Sequence, residues 1–149
     1  MGEHSHHEPH AQHGQPSHVS HKAHSVSLGC VVVTCSDTRT KDTDTSGKLI
    51  CHLLKEQGHS INQSHLIKDE PTEITRILEA TAHLTVNQVI IINGGTGISR
   101  RDSTFEAVDR FLQKRLDGFG ELFRYLSYKD IGSSAMLSRA TAGIYEHMV

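Results

Sequence analysis

A run of apolar residues that passes directly into a glycine-rich loop constrains the fold of this 149-residue chain more than any other feature. Residues 89–92 read Val-Ile-Ile-Ile and are followed at 93–97 by Asn-Gly-Gly-Thr-Gly. A short continuous apolar run is typical of a strand covered on both faces, and glycine permits the positive φ angles of a tight turn. Ser103 and Glu106 have the spacing of a capping box, so we expect a helix to begin directly after the loop.

The glycine loop has two interpretations. Backbone N–H groups at the start of a helix bind anions such as phosphate, but an ordinary turn between a strand and a helix also uses glycine for its geometry. Arg100, Arg101 and Asp102 follow the loop, and they favour a binding site because a plain turn does not need them. The loop lacks the Gly-Lys-Ser/Thr ending of a Walker A motif and does not match G-x-G-x-x-G. The two arginines as solvated surface charges remain the alternative.

Strand-type and helix-type patterns alternate three times along the chain. The crossovers between the strands are long enough for parallel pairing, which predicts a three-layer α/β/α fold with a mostly parallel sheet and right-handed crossovers. Gly58 is expected to end the first helix, and Pro71 suits the first turn of the second. The expected strands are 29–35, 61–67, 88–93 and 142–145; the expected helices start at Ser46, Pro71 and Ser103, with the third running to about Leu116 and breaking at 117–121, and short helices follow at 122–126 and 135–138.

Polar residues follow three of the predicted strands. Ser36 and Asp37 come after the first, Asp69 after the second, and Asp102 after the third. The carboxyl ends of parallel strands meet at one edge of the sheet, where ligands usually bind. Since Mg²⁺ takes one or two carboxylates together with substrate phosphates, Asp69 and Asp102 are the predicted magnesium ligands. The alternatives are that Asp69 caps the helix at Pro71 and that the loop after the first strand is solvated.

Composition excludes several classes of function. A net charge of −2 disfavours nucleic acid as a partner, and there is neither an apolar run long enough for a membrane span nor a secretory signal. The three cysteines, Cys30, Cys35 and Cys51, form no C-x-x-C motif. We expect them to be small buried side chains in a reducing, cytoplasmic environment.

Residues 1–27 differ from the rest of the chain. They contain eight of its thirteen histidines and almost no apolar side chains. Such a segment cannot bury enough surface to fold, so it is predicted to be a disordered tail that precedes a single domain over residues 28–149. Loose binding of Zn²⁺, Ni²⁺ or Cu²⁺ by the imidazoles is the functional interpretation; a solvating tail or an expression artefact is the alternative.

Several short motifs, in order along residues 28–149, resemble the molybdopterin-binding MoaB/MogA family. The resemblance is closer to the MoaB branch. The motifs are Ser36-Asp37; Gly94-Gly95-Thr96-Gly97 with Arg101-Asp102; Gly-Phe-Gly-Glu at 118–121; Phe-Arg-Tyr-Leu-Ser at 123–127; Asp-Ile-Gly-Ser-Ser at 130–134; and Leu137-Ser138-Arg139.

The resemblance implies a function in molybdenum cofactor biosynthesis. Active family members adenylylate molybdopterin with Mg·ATP and release pyrophosphate, and Asp69 and Asp102 match the two catalytic aspartates. Gly94, Gly95, Thr96 and Gly97 would bind the phosphate side of the pterin, and Ser36, Asp37, Ser138 and Arg139 would line the same pocket. The family also implies a trimer or hexamer, and a molybdenum insertase would receive the product. The alternative is a non-catalytic molybdopterin-binding or scaffolding protein of the same pathway.

The sequence departs from the family pattern at its C-terminal end. Family members continue with a further strand, a Pro-Gly-Ser-type loop and a final helix, whereas this sequence ends at Val149. Loss of that segment would expose apolar surface on the sheet. On this basis we expect lower stability, and weaker binding of the pterin or none.

Overall fold

The computed structural model describes residues 26–95 and 103–149 and is built around one parallel sheet. Strand β1 (Gly29–Cys35) is central, and all seven of its residues are buried. It pairs in parallel with β2 (Ser60–Ile67) on one side and with β3 (Val89–Asn93) on the other. The apolar, β-branched sequence of β1 suits a strand covered on both faces. The predicted parallel strands are therefore confirmed.

Helices cover both faces of this sheet. A core on one face joins β1 to α2 (Pro71–Ala82) and α3 (Thr104–Asp109). On the other face, α1 (Thr45–Glu56) approaches so closely that a Cβ placed on Gly47 would lie 2.6 Å from Thr34 Oγ1. Because successive strand residues point to opposite faces, the fold has the predicted three α/β/α layers. The buried residues of the core between the sheet and helices α2 and α3 are Val31, Val33, Cys35, Ile74, Ile77, Leu78 and Ala107.

The first two helices begin and end for recognisable local reasons. Asp44 caps α1, since its Oδ1 accepts a hydrogen bond from the N–H of Gly47 at 2.9 Å. Gly58 has a φ of +85°, and the bonds from Gly58 N–H to Lys55 and from His59 N–H to Leu54 form a Schellman motif. Pro71 opens α2. The predicted signals at Gly58 and Pro71 are confirmed.

The chain after α3 differs from the sequence prediction. Helix α3 ends at Asp109, so the predicted continuation to Leu116 is wrong. The backbone there pairs across the molecule instead: β4 (Lys114–Arg115) is antiparallel to β5 (Gly143–Ile144). The strand expected at 142–145 thus exists, but it is shorter and lies in a separate two-stranded sheet. Phe111 packs edge-on against Tyr145, with ring centroids 5.2 Å apart, which holds the two segments together.

Helix α4 is longer than the short helix expected. It runs over Asp117–Ile131, so the predicted break at 117–121 is wrong. Gly118 and Gly120 lie within its first turn, where few of the helical hydrogen bonds depend on them. A 3₁₀ helix over Gly132–Leu137 follows directly and replaces the short helix expected near 135–138.

The last described residues lie beside β3. Val149 donates to the carbonyl of Gln88 and accepts from the N–H of Ile90, at 3.0 and 2.9 Å. Met148 next to it is fully buried. The C-terminal segment therefore bonds to the start of the edge strand β3.

Two expectations from composition can be compared with the described residues. No helix within 26–95 or 103–149 is long and apolar enough to cross a membrane. Cys30 and Cys35 are buried as expected, but the prediction for Cys51 is wrong, since it is only half-buried. Its helix covers the edge strand β2, where its thiol faces Ser64 Oγ at 4.0 Å. The histidine-rich residues 1–25 lie outside the described part of the chain.

Candidate functional site

The carboxyl ends of β1 and β2 are joined by hydrogen bonds. The N–H of Ser36 donates to the carbonyl of Ile67 at 2.9 Å, and the N–H of Asp69 donates to Asp37 Oδ1 at 3.3 Å. Ser36 Oγ also accepts from the backbone N–H groups of Thr38 and Arg39, which organises the loop after β1. The structure thus brings together three of the predicted site residues, Ser36, Asp37 and Asp69.

The side chain of Asp69 points towards α3. Its Oδ1 accepts a hydrogen bond from Thr104 Oγ1 at 2.8 Å and a longer one from Ser103 Oγ at 3.4 Å. The N-cap residue of α2 is Glu70, which makes no side-chain capping bond. The structure therefore does not support Asp69 as the cap of α2, and the carboxylate instead links the end of β2 to the beginning of α3.

The capping box predicted at Ser103 and Glu106 is wrong. Ser103 is the N-cap residue of α3 but makes no side-chain capping bond, because its hydroxyl is directed to Asp69. Glu106 is directed to Arg139 instead. Both side chains that would close the helix end are used for contacts with other segments.

The described glycines of the loop allow its backbone to lie against these side chains. Gly94 and Gly95 have φ angles of +101° and +57°. A Cβ on Gly95 would lie 2.3 Å from Thr104 Oγ1 and 2.4 Å from Asp69 Oδ2. Alanine could not fit there without movement, so close approach to Asp69, as well as turn geometry, requires glycine at this position.

The rest of the predicted loop is outside the described residues. Thr96, Gly97, Arg100, Arg101 and Asp102 all fall within 96–102. The predicted magnesium pair of Asp69 and Asp102 therefore stays a prediction. Within 26–95 and 103–149, no group of three or more His, Cys, Asp or Glu side chains is placed to hold a metal ion.

Two residues of this cluster, Cys35 and Thr104, were not predicted as site residues. Thr104 is 4% exposed, and its hydroxyl donates to Asp69 Oδ1 at 2.8 Å. Burial raises the pKa of Cys35 to about 11, the contact with Thr104 lowers it, and the nearby Asp69 charge raises it. A hydroxyl at the start of the helix after a glycine loop is the sequence signal that points to Thr104.

Arg139 contacts the first turn of α3. Its Nη1 pairs with Glu106 Oε1, and its guanidinium lies 5.0 Å from the centroid of the Phe105 ring. The hydrogen bond from Arg139 is the main cause that lowers the pKa of Glu106. Ser138, half-buried, ends the 3₁₀ helix. Arg139 therefore contacts α3 at Glu106, which is two residues after Thr104. Ser138 directly precedes Arg139 in the sequence.

A groove of about 500 Å³ lies elsewhere, between α1 and the edge strand β2. It is lined by Lys41, Lys48 and Lys55 among others, and by none of the predicted site residues. Lys48 Nζ is already bonded to the Asp42 carbonyl. The groove is thus separate from the cluster around Asp69.

The chain is similar in sequence to proteins of a known family. A family model described as "Probable molybdopterin binding domain" matches residues 31–148. A molybdenum cofactor biosynthesis protein B from Bacillus anthracis is 52% identical over 115 residues, which is 76% of this chain and 68% of the relative.

Solved structures give the same result. A crystal structure of a molybdenum cofactor biosynthesis protein B is 49% identical, with a TM-score of 0.78, over 81% of this chain and 76% of that one. The tungsten cofactor synthesizing protein MoaB from Pyrococcus furiosus is 33% identical, with a TM-score of 0.71, over 80% and 74%. The resemblance noted in the sequence is confirmed, and the chain belongs to the molybdopterin-binding domain family, together with the MoaB proteins of cofactor biosynthesis.

Proposed function

We propose that the protein acts in molybdenum cofactor biosynthesis by binding molybdopterin and adenylylating it with Mg·ATP. The observation that carries the proposal is the carboxylate of Asp69, held by two hydroxyls directly beside Gly95 of the glycine loop. Membership of a molybdopterin-binding family supports the substrate. The names of the similar proteins refer to molybdenum or tungsten cofactor synthesis, which supports the pathway.

The proposed reaction is a transfer of AMP between two phosphates. An oxygen of the molybdopterin phosphate forms a bond to the α-phosphorus of ATP, and the bond from that phosphorus to the bridging oxygen breaks. Pyrophosphate leaves with that electron pair, and the step consumes no oxidant, reductant or acid. Phosphoryl transfer of this kind depends mainly on positioning and on charge stabilisation.

The donor set fits magnesium. Carboxylate oxygens are ligands that Mg²⁺ prefers, and Asp69 with Asp102 would hold the ion. Bound there, Mg²⁺ would neutralise charge on the substrate phosphates. Asp69 contributes a carboxylate whose orientation is set by Ser103 and Thr104. Gly94 and Gly95 carry no side chain, so a phosphate can approach the backbone of the loop.

Self-association is part of the proposal. Helix α4 buries only Gly120, and its large apolar side chains are exposed, together with two from the 3₁₀ helix. An exposed apolar patch of this kind marks an interaction site, and we propose copies of the same chain as the partner, in a trimer or hexamer. The patch consists of Phe119, Leu122, Phe123, Tyr125, Leu126, Tyr128, Ile131, Met136 and Leu137.

Two further proposals follow from the adenylyltransferase function. The product would pass to a molybdenum insertase, and the reaction would take place in the cytoplasm. The remaining predicted pocket residues, Ser36, Asp37, Thr96, Gly97, Ser138 and Arg139, would contact the pterin or ATP.

A non-catalytic, molybdopterin-binding protein is the second candidate. It is favoured by one observation: Asp69 Oδ1 already accepts two hydrogen bonds that tie β2 to α3. A carboxylate with this structural function can be retained in a protein that binds the pterin without reacting.

Pyrophosphate release separates the two candidates. The full chain is incubated with molybdopterin and Mg·ATP, and binding of molybdopterin is measured in parallel. We expect release by the wild type, and at least a hundredfold lower rate for Asp69→Asn and for Asp102→Asn, since each removes a charged ligand. Glu79→Gln, an equal change of charge on the exposed side of α2, is the control and should leave the rate unchanged. Binding without any release from the wild type would instead establish the non-catalytic protein.

A further inference from the structure

We propose that Thr104 is a positioning residue that fixes the carboxylate of Asp69 through a short, directed hydrogen bond. The inference rests on the proposed function, because Asp69 is the residue that would act on the substrates. In this proposal, the hydrogen bond from Thr104 to Asp69 determines the rate with bound substrates and has little effect on their affinity.

The contact between Thr104 and Asp69 lies where three separate elements end or begin. Cys35 is the last residue of β1, Thr104 is the first residue of α3, and Asp69 follows β2. Cys35 is 3% exposed and Thr104 is 4% exposed. The backbone of a buried strand and of a packed helix therefore fixes two of the three side chains, and only Asp69 lies at the accessible edge.

The hydrogen bond between Thr104 and Asp69 can run in only one direction. A threonine hydroxyl has one proton to donate and two lone pairs, and an ionised carboxylate only accepts. The Thr104 proton is therefore directed to Asp69 Oδ1, at 2.8 Å.

The loop closes this arrangement from the other side. The α-carbon of Gly95 lies so close that a Cβ would be 2.3 Å from Thr104 Oγ1 and 2.4 Å from Asp69 Oδ2. The second hydroxyl donor, Ser103 Oγ, is at 3.4 Å and is the weaker one. Among the contacts of residues 26–95 and 103–149, the short bond from Thr104 is thus the main polar contact that holds the carboxylate against the loop.

Thr104→Val tests the proposal, because valine keeps the shape and lacks the hydroxyl. We expect kcat to fall by about ten- to a hundredfold, since misplacement of a reacting group by about 1 Å costs that much. KM for molybdopterin and for ATP should stay within about twofold. Thr104→Ser, which keeps the O–H group, should restore kcat to within about threefold of the wild type.

Thr81→Val is the matched control. Thr81 is also a buried threonine, 1% exposed, and its hydroxyl donates to the Ile77 carbonyl within α2 at 2.6 Å. Its loss should lower the urea midpoint and leave kcat unchanged. A Thr104→Val enzyme with wild-type kcat, or with a raised KM and unchanged kcat, would overturn the positioning function.

Crystal structures of the variants distinguish failure of this inference from failure of the proposed function. If the wild type releases no pyrophosphate, the adenylyltransferase proposal fails, but the position of Asp69 can still be measured. We expect its carboxylate to leave its present place in Thr104→Val and to keep it in Thr104→Ser. An unmoved carboxylate in Thr104→Val contradicts the inference. If Thr104→Val does not fold, Thr104→Ala, which removes the same hydroxyl with a smaller side chain, gives the same decision.

Discussion

Helices α2 and α4 both carry large apolar side chains, but those of α2 are buried and those of α4 are exposed. Both contain several large apolar residues at helical spacing. In α2, Ile74, Ile77 and Leu78 are buried against the sheet. In α4, the exposed fractions of Leu122 and Leu126 are 57% and 51%. The first helix completes its packing within the chain, and the second leaves its apolar side chains uncovered.

This difference indicates which parts of the molecule stabilise the fold and which parts associate with other copies. We call the three-stranded sheet with α1, α2 and α3 the interlocked half of the molecule. This half also holds Asp69, Thr104 and Gly95, so the site is built on it. Helix α4 and the 3₁₀ helix form the other half, and Arg139, which follows them, contacts α3 through Glu106. We expect substitutions in the first half to unfold the chain and substitutions in the second half to separate its copies.

The largest effect is expected from Ile74→Ala. Ile74 is fully buried in the core, and removal of three buried carbons from such a site costs about 2–5 kcal/mol of unfolding free energy. Leu126→Ala in α4 is the counterpart, and in dilute, dissociated protein it should change that free energy by less than about 0.5 kcal/mol. Urea unfolding measures both. Equal losses for the two variants would mean that the two helices do not differ as described.

A charged substitution on α4 should separate the copies. Phe123→Asp and Leu126→Asp each place a carboxylate in the middle of the apolar patch, where association would bury it without a partner. We expect at least a hundredfold increase in the dissociation constant between subunits, which is about 2.7 kcal/mol. Light scattering over a dilution series gives the mass. Leu84→Asp is the control, since Leu84 is also exposed, at 44%, but lies outside α4; it should leave the mass unchanged.

Sequence patterns predicted the interlocked half well, because its elements are determined by local signals. The strand β1 is rich in apolar and β-branched residues, Gly58 and Pro71 mark helix ends, and Asp69 follows a strand. The errors arose where a side chain has two possible partners. Ser103 and Glu106 have capping-box spacing, but Asp69 and Arg139 compete for them across the fold. The ends of α3 and α4 were also missed, since long-range pairing of β4 with β5 decides them.

Two glycine substitutions test the close packing at Gly95 within the interlocked half. Gly58 and Gly95 both have positive φ, of +85° and +57°, but a Cβ on Gly58 meets nothing within 4 Å. Gly58→Ala should therefore cost only the backbone strain, about 1–2 kcal/mol. Gly95→Ala has the same strain and also displaces Asp69 and Thr104, so it should cost roughly 1 kcal/mol more and abolish pyrophosphate release. Equal destabilisation by the two changes would show that the contact at Gly95 relaxes without energetic cost.

The smallest effect concerns the contact that joins the two halves, Glu106 with Arg139. The hydrogen bond from Arg139 holds the pKa of Glu106 below its usual value of 4.5 in the folded chain. A group whose pKa is lowered by folding contributes stability that is present above its unfolded pKa and is lost as the pH falls through the folded one. We expect wild type and Glu106→Gln to differ in urea midpoint at about pH 6 and to converge towards about pH 3.

The size of this difference is limited by solvent, because the Glu106 side chain is 50% exposed. Glu79→Gln is the control and should give a difference that does not depend on pH in the same way. If the difference between wild type and Glu106→Gln does not depend on pH either, the pairing of Glu106 with Arg139 does not persist in solution. Helix α4 is then joined to the interlocked half by other contacts, among them β4 with β5 and Phe111 with Tyr145. If the difference does depend on pH, the pair of Arg139 and Glu106 links the apolar patch of α4 to helix α3. Thr104 of α3 is in turn hydrogen-bonded to Asp69.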